Sequence, residues 1–342
     1  MSLTPDPARD HPPPGRPGPA RRRVLQTAHG TRVEPFGVVE WGLLAGIAAI
    51  WGSSFLFIAI GLEAFAPGVV ALARLTLGVV ALALVPRARS SVHRDDWPRV
   101  AVLGLVWMAA PLLLFPIAQQ WVDSSVAGMI NGAVPLWSAL IATLLLRSLP
   151  RPTQVVGLAL GFIGVVAIMW PNASGADASL LGVALLLVAV ALYGLATNLA
   201  VPLQQRYGSA PVLLRAQLVA LVVIAPVGAA SVPTSTWEWT SAVAMLPLGV
   251  LGTGLAFVGM TTLVGRVGAA RGSVAIYFIP VVAIVLGVTV RGEAVHPLAL
   301  VGTALVLVGA GLTSRRERER RRTDVGSTVA VGADVPTDVN HP

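Results

Sequence analysis

Ala269 to Gly309 reads AARGSVAIYFIPVVAIVLGVTVRGEAVHPLALVGTALVLVG, and its landmarks recur 145 positions earlier. Pro280 repeats Pro135, Pro297 repeats Pro152, Gly302 repeats Gly157 and Gly309 repeats Gly164. In each copy an apolar helix with a proline near its middle runs into a short charged joint, and a second proline opens the next apolar helix. The joint is Leu146 to Arg151 in the first copy and Arg291 to His296 in the second. The chain is therefore expected to contain one structural unit twice.

Working outward, 55% of the 342 residues are hydrophobic, 12% are charged and the mean hydropathy is +0.77. That is more apolar surface than one soluble core of this size buries, so the reading is a polytopic membrane protein. The chain has no cysteine, which excludes disulfides and thiolate metal sites. All five histidines (His11, His29, His93, His296 and His341) fall in tails or joints, so no histidine cluster is expected inside the membrane and no metal or other cofactor is implied. The net charge of +8 comes from arginines beside apolar spans, which points to the cytoplasmic leaflet and away from nucleic acid.

Residues 1–37 are rich in Pro and Arg and read as a disordered tail; residues 315–342 read as a second, basic one. Between them, apolar runs of about 20 residues, the length that crosses about 30 Å of hydrocarbon, alternate with short polar joints. Ten are expected, at 38–60, 67–85, 99–118, 124–146, 153–170, 179–201, 211–231, 239–263, 270–290 and 297–314. With the N-terminus inside, 21 of the 24 arginines lie in cytoplasmic segments, while the outer joints hold only Arg291. The positive-inside rule then places both termini in the cytoplasm.

Five spans per copy is an odd number, so the second copy must lie upside down relative to the first. The expected fold is an all-α integral membrane protein of ten transmembrane helices in two inverted five-helix repeats: 38–170, an external linker at 171–178, and 179–314. Inverted repeats are the architecture of many secondary transporters, with the substrate site near the midplane between the halves.

Five features in order resemble an EamA-type member of the drug/metabolite transporter superfamily. They are Trp51 to Phe55 (Trp-Gly-Ser-Ser-Phe), Pro67 followed by Arg74 in Ala-Arg-Leu, the two small-residue helices leading to Pro135 and Pro280, and Gly292-Glu293. The resemblance spans about residues 40 to 314 and implies a bacterial inner-membrane carrier, often an exporter of amino acids, other metabolites or toxic compounds. Two departures stand out: Ser148 occupies the place of the first copy's glutamate, and the arginine-rich tails lie outside the family pattern.

Polar residues within spans are tolerated only where they face protein or a wet cavity. Asn131, Pro135 and Ser138 share one helical face; Ser273, Tyr277 and Pro280 share another. Tyr193 and Thr197, beside Asn198, give the sixth span a similar face, and Ser53 and Ser54 lie below Trp51 in the first. The candidate substrate contacts are Trp51, Ser54, Asn131, Ser138, Tyr193, Asn198 and Tyr277; interhelical hydrogen bonding is the competing role for each. Arg74, about 10 Å deep at 1.5 Å per residue, has three readings: a structural lock, which the lack of an acidic span partner favours; snorkelling to the outer headgroups; or contact with a substrate anion. Gly157 and Gly161 offer a close-packing face, which makes a homodimer seam one use for that helix.

No carboxylate lies within a span beyond Glu40 at the first boundary, so coupling would use Glu63, Asp123 or Glu293, or the carrier is a facilitator. No Walker loop, HExxH or nucleophile–base pair appears, so neither ATP-driven transport nor an enzyme is expected. The main reading is a secondary carrier for a small neutral or zwitterionic metabolite; the alternative is a membrane scaffold or sensor whose arginine-rich tails bind anionic lipid or partners. Single cysteines placed in this cysteine-free chain test the topology. Ser90→Cys should react with an impermeant maleimide only from inside and Ser174→Cys only from outside, and labelling from one side would overturn the count.

Overall fold

A computed structural model of the chain describes residues 36–146, 152–173, 177–267, 272 and 274–314. The tails, Ser148, Ser273 and the joint at 147–151 lie outside the described residues. Every described element is helical, and eight helices are long and apolar enough to cross a membrane. Among the spans, α1 is Val38–Leu62, α3 Arg94–Ala118, α4 Ser124–Leu145, α5 Pro152–Ala173 and α6 Asp177–Tyr207. They continue with α7 Ser209–Ser231, α8 Trp239–Val264 and α9 Val274–Arg291. Two shorter apolar helices, α2 (Pro67–Ala83) and α10 (Pro297–Ser314), stand where the second and tenth spans were expected. The expected linker at 171–178 is shorter in the structure, because α5 runs on to Ala173 and α6 starts at Asp177.

Proline explains the interruptions of α4 and α9. Its ring cannot donate to the helical ladder, and the α-helix breaks at Gly132 and Ala133 before Pro135, and at Phe278 before Pro280. A feature that no proline rule anticipates lies in the third helix of each repeat. Gly104–Ala109 in α3 and Pro247–Leu255 in α8 are π-helical, with Gly104 and Gly249 at the same place in the two copies.

The inversion can be read from α5 and α10, which are equivalent helices. A Cβ on Gly164 would lie 2.5 Å from the Gly302 carbonyl, and a Cβ on Gly302 would lie 2.5 Å from the Gly164 carbonyl. The same holds at the other end, where the Gly157 carbonyl sits under Gly309. Pairing of low with high numbers makes the two helices antiparallel, and equivalent helices that run antiparallel belong to inverted repeats. The glycines weighed as a dimer seam are used in this way: Gly157 faces Gly309, and Gly161 lies beneath the Leu136 side chain. The outer face of α5 is instead built of Val155, Val156, Ile163, Val166 and Trp170, all exposed and suited to lipid.

The other contacts repeat across the two halves. α2 packs on the π segment of α8, and α7 packs on that of α3. The contact of Gly249 with the Arg74 carbonyl and the Leu77 Cβ has its image in that of Gly104 with the Ala216 carbonyl and the Val219 Cβ. α4 meets α9 through Ser125 on Gly287, Gly128 on Ala283 and Gly132 on Pro280, and beyond Pro135 it turns to α6 and α10. At the arginine-rich face, Glu40 is buried in an ion pair with Arg266 (2.6 Å), and Asp96 accepts from Arg206 and Tyr207, both at 2.6 Å.

The α5–α10 seam leaves no room for a side chain between the backbones. Gly164→Val should therefore push the helices apart and cost about 1–3 kcal/mol, seen as a lower melting temperature in detergent. Gly42→Ala, which meets nothing within 4 Å, should change stability by less than about 0.5 kcal/mol.

Candidate functional site

The π segment of α8 is where side chains from both repeats converge. A π turn shifts the hydrogen-bond ladder by one residue and leaves backbone carbonyls without helical partners, and in hydrocarbon each of these needs a donor. Trp51 Nε1 on α1 donates to the Gly252 carbonyl at 3.0 Å, and Gln217 Nε2 on α7 donates to the Thr253 carbonyl at 2.7 Å. Ser54 fits directly under Gly252, where a Cβ would come within 2.8 Å of its Oγ; that hydroxyl donates to the Ile50 carbonyl at 2.9 Å. Thr253 Oγ1 donates to the Leu248 carbonyl at 3.2 Å and accepts from Arg74 Nε at 3.3 Å.

Arg74 is 6% exposed, so it does not reach the headgroups. Among the described residues it has no carboxylate partner, and its Nη groups make no hydrogen bond. The Tyr193 hydroxyl lies within range of its charge and also makes no hydrogen bond among the described residues.

Aromatic rings surround this polar centre. Trp51 meets Phe257 edge to face at 5.1 Å, and Phe257 meets Trp107 in the same way at 5.6 Å. Tyr193 stacks on Phe115 at 5.9 Å, and Phe115 packs on Phe55 at 5.5 Å. The rings come from α1, α3, α6 and α8, hence from both repeats.

The structure brings Trp51, Ser54, Arg74 and Tyr193 together and sends the other candidates elsewhere. Ser138 and Asn198 bond one another across the α4–α6 crossing: Asn198 Nδ2 donates to the Ser138 carbonyl at 3.0 Å, and the Ser138 and Thr197 hydroxyls are 2.9 Å apart. Gly194 lets these helices approach, since a Cβ there would lie 2.8 Å from the Ser138 nitrogen. The Tyr277 hydroxyl donates to the Ala310 carbonyl on α10 at 3.1 Å. Asn131 is 8% exposed and makes no side-chain hydrogen bond among the described residues. Thr253, Gln217, Trp107, Phe115 and Phe257 were not singled out from the sequence; the glycine cluster Gly249, Gly252 and Gly254 was the available signal for a close approach.

A second polar group closes the face opposite the arginine-rich one. Gly292 adopts φ +67, and its N–H and that of Glu293 return to the carbonyls of Val288 and Gly287. This left-handed turn ends α9 and aims the Glu293 carboxylate at the first turn of α4. It accepts from Ser124 N (3.0 Å), Ser124 Oγ (2.6 Å) and Ser125 N (2.8 Å). A carboxylate at a helix N-terminus satisfies otherwise unpaired N–H groups and the helix dipole. Burial works to raise the Glu293 pKa, but the hydrogen bonds from Ser124 and Ser125 outweigh it and the net shift is downward. Burial and the nearby Glu293 push Asp123 upward, against the pull of Arg291. Arg291 also pairs with Glu63 at 2.5 Å.

The family model of EamA-like transporters matches this chain twice, over residues 40–170 and 180–315. The chain belongs to the EamA-like transporter family. It is a multi-pass membrane protein and a member of a family of membrane transporters. A protein of Streptantibioticus cattleyicolor named "Probable terminal-alkyne amino-acid exporter" is 30% identical over 300 residues, covering 82% of this chain and 95% of that one. An Escherichia coli K12 protein named "Uncharacterized inner membrane transporter YedA" is 26% identical over 285 residues, 79% of this chain and 90% of the relative. A crystal structure at 18% identity shares the fold with a TM-score of 0.58, covering 82% of this chain and 98% of the other. The Gly-Glu pair that marked the EamA resemblance thus has a physical role here: the glycine turns the chain and the glutamate ties α9 of one repeat to α4 of the other.

Because the folded pKa of Glu293 is depressed, its contribution to stability is present above the ordinary carboxylate value of 4.5 and is lost as the pH falls through the lowered one. Glu293→Gln should cost about 1–2 kcal/mol at neutral pH. In melts recorded from neutral to acidic pH, the gap between variant and wild type should close at the acidic end.

Proposed function

We propose that this EamA-like chain is a secondary exporter of small amino-acid-like or other neutral or zwitterionic metabolites, with both termini cytoplasmic. It works by alternating access between the inverted repeats. The observation that carries the reading is the convergence of Trp51, Arg74 and Tyr193 with the π segment of α8 inside a ring of aromatics drawn from both halves. A site shared by two bodies is rebuilt whenever one moves against the other, which is the geometry that alternating access requires.

The tight contacts between α4 and α9 run along the half that bears Glu293, and α4 leaves α9 beyond Pro135. With the arginine-rich face in the cytoplasm, these contacts lie in the outer half of the α4–α9 interface. The name of the S. cattleyicolor relative supports the same substrate class. Asn131, near the break in α4, is the further contact within this path, whereas Ser138, Asn198 and Tyr277 brace the helices around it.

Proteoliposomes decide the matter. Vesicles loaded with an unlabelled amino acid from a panel of apolar and alkynyl side chains should accumulate the same labelled compound by counterflow, and Trp51→Ala should abolish it. Folded protein that exchanges nothing from the panel would leave the scaffold reading standing instead.

A further inference from the structure

Arg215 on α7 and Arg74 on α2 are arginines set inside the second helix of each repeat, and they are used differently. Arg215 spends its Nη groups on backbone, donating to the carbonyl of Ala88 and to that of Arg89 at 3.0 Å. It is a lock for the segment after α2. Arg74 donates only through Nε, to Thr253 Oγ1.

A lock at Arg74 would need carbonyls, yet Arg74 donates to none, and the two beside Thr253 are held by other side chains. Trp51 holds the one at Gly252 and Gln217 the one at Thr253. Nor does packing need the charge: in the image of the α2–α8 contact in the other repeat, between α7 and α3, a Cβ on Gly104 would lie 2.8 Å from the Ala216 carbonyl just as one on Gly249 would from that of Arg74, with Ala216 in the place of Arg74. What remains is a guanidinium in the protein interior, with four N–H groups on two terminal nitrogens and no anion among the described residues. Holding a bare cation there costs several kcal/mol, an expense that packing does not explain.

Resting on the transport reading above, we propose that Arg74 is the carboxylate anchor of the transport site. The substrate presents a carboxylate to the paired Nη groups, Thr253 fixes the guanidinium plane through Nε, and the apolar remainder lies against Trp51, Trp107 and Phe257. Two parallel N–H donors match the two oxygens of a carboxylate, a geometry that lysine does not reproduce. Tyr193, beside the charge with its hydroxyl unbonded to protein, offers a further donor to the same anion. The substrate carboxylate also pairs the buried guanidinium, so the loaded site no longer holds a bare cation.

The test uses three probes on the full chain in nanodiscs: L-propargylglycine, its carboxamide, and 4-pentynoic acid, which keeps the carboxylate and chain but lacks the amine. Quenching of tryptophan fluorescence reads binding, and counterflow in proteoliposomes reads transport. The wild type should bind both acids at least tenfold more tightly than the carboxamide, and Arg74→Gln should reduce that preference to within twofold. Arg74→Lys should keep the preference at roughly tenfold weaker affinity.

Equal binding of acid and carboxamide by the wild type overturns the proposal and leaves the carrier reading intact. So does an acid preference that survives in Arg74→Gln. Should Arg74→Gln fail to fold, the wild-type ratio and Arg74→Lys still decide. If none of the three probes binds or is carried, both this proposal and the amino-acid-like substrate class fall.

Discussion

In hydrocarbon a carbonyl that leaves the helical ladder must find another donor, and this constraint organises the centre of the molecule. The π segment of α8 breaks the ladder in mid-span, and side chains from two other helices repair it: Trp51 from α1 and Gln217 from α7. Each unsatisfied group would cost several kcal/mol away from water, so the positions of α1 and α7 against α8 are tied to these two bonds. Close packing follows from the same demand. Gly252 can accept the indole and seat Ser54 beneath it only because it has no side chain, and Gly249 lets α2 come near enough for Arg74 to reach Thr253.

The two repeats share their packing and differ in their chemistry. Glycines recur at 104 and 249, 157 and 302, and 164 and 309, and they set the distances between helices in both halves. The charged groups do not recur. Arg74 has Ala216 as its counterpart in the packing, and Glu293 has Ser148 in the sequence. Duplication supplied a symmetric frame, and single residues then made its interior and its two faces unlike. An inward-pointing charge on one half alone makes the interior between the repeats unlike on its two sides.

Much of this was legible beforehand because it rests on long, periodic features. The repeat, the apolar runs and the prolines near the middle of α4 and α9 all survive comparison with the structure, and the EamA resemblance survives comparison with the family, since hydropathy and proline act locally. The individual roles of polar residues were harder to read, because they depend on partners far away in the chain. Ser138 and Asn198 look like cavity lining on a helical wheel, yet they find each other across a helix crossing that Gly194 makes close. Glu293 was read as a boundary acid; that it would cap α4, 169 residues away, follows only from the antiparallel contact of α4 with α9. The π segments left no periodic trace at all, because one residue added to a turn of an apolar helix does not disturb its composition.

The seam between α5 and α10 joins equivalent helices of the two repeats glycine to glycine. It sits where equivalent backbones meet, so exchanging the two repeats maps the contact of Gly164 with Gly302 onto that of Gly309 with Gly157. A contact that is its own mirror in this sense is the same in a conformation and in that conformation's counterpart with the halves swapped. In the proposed alternating-access cycle it serves as a bearing, remaining closed while the helices around it trade places. Backbone-to-backbone glycine contact suits a bearing, because it has no long side chains that would have to unmesh and mesh again.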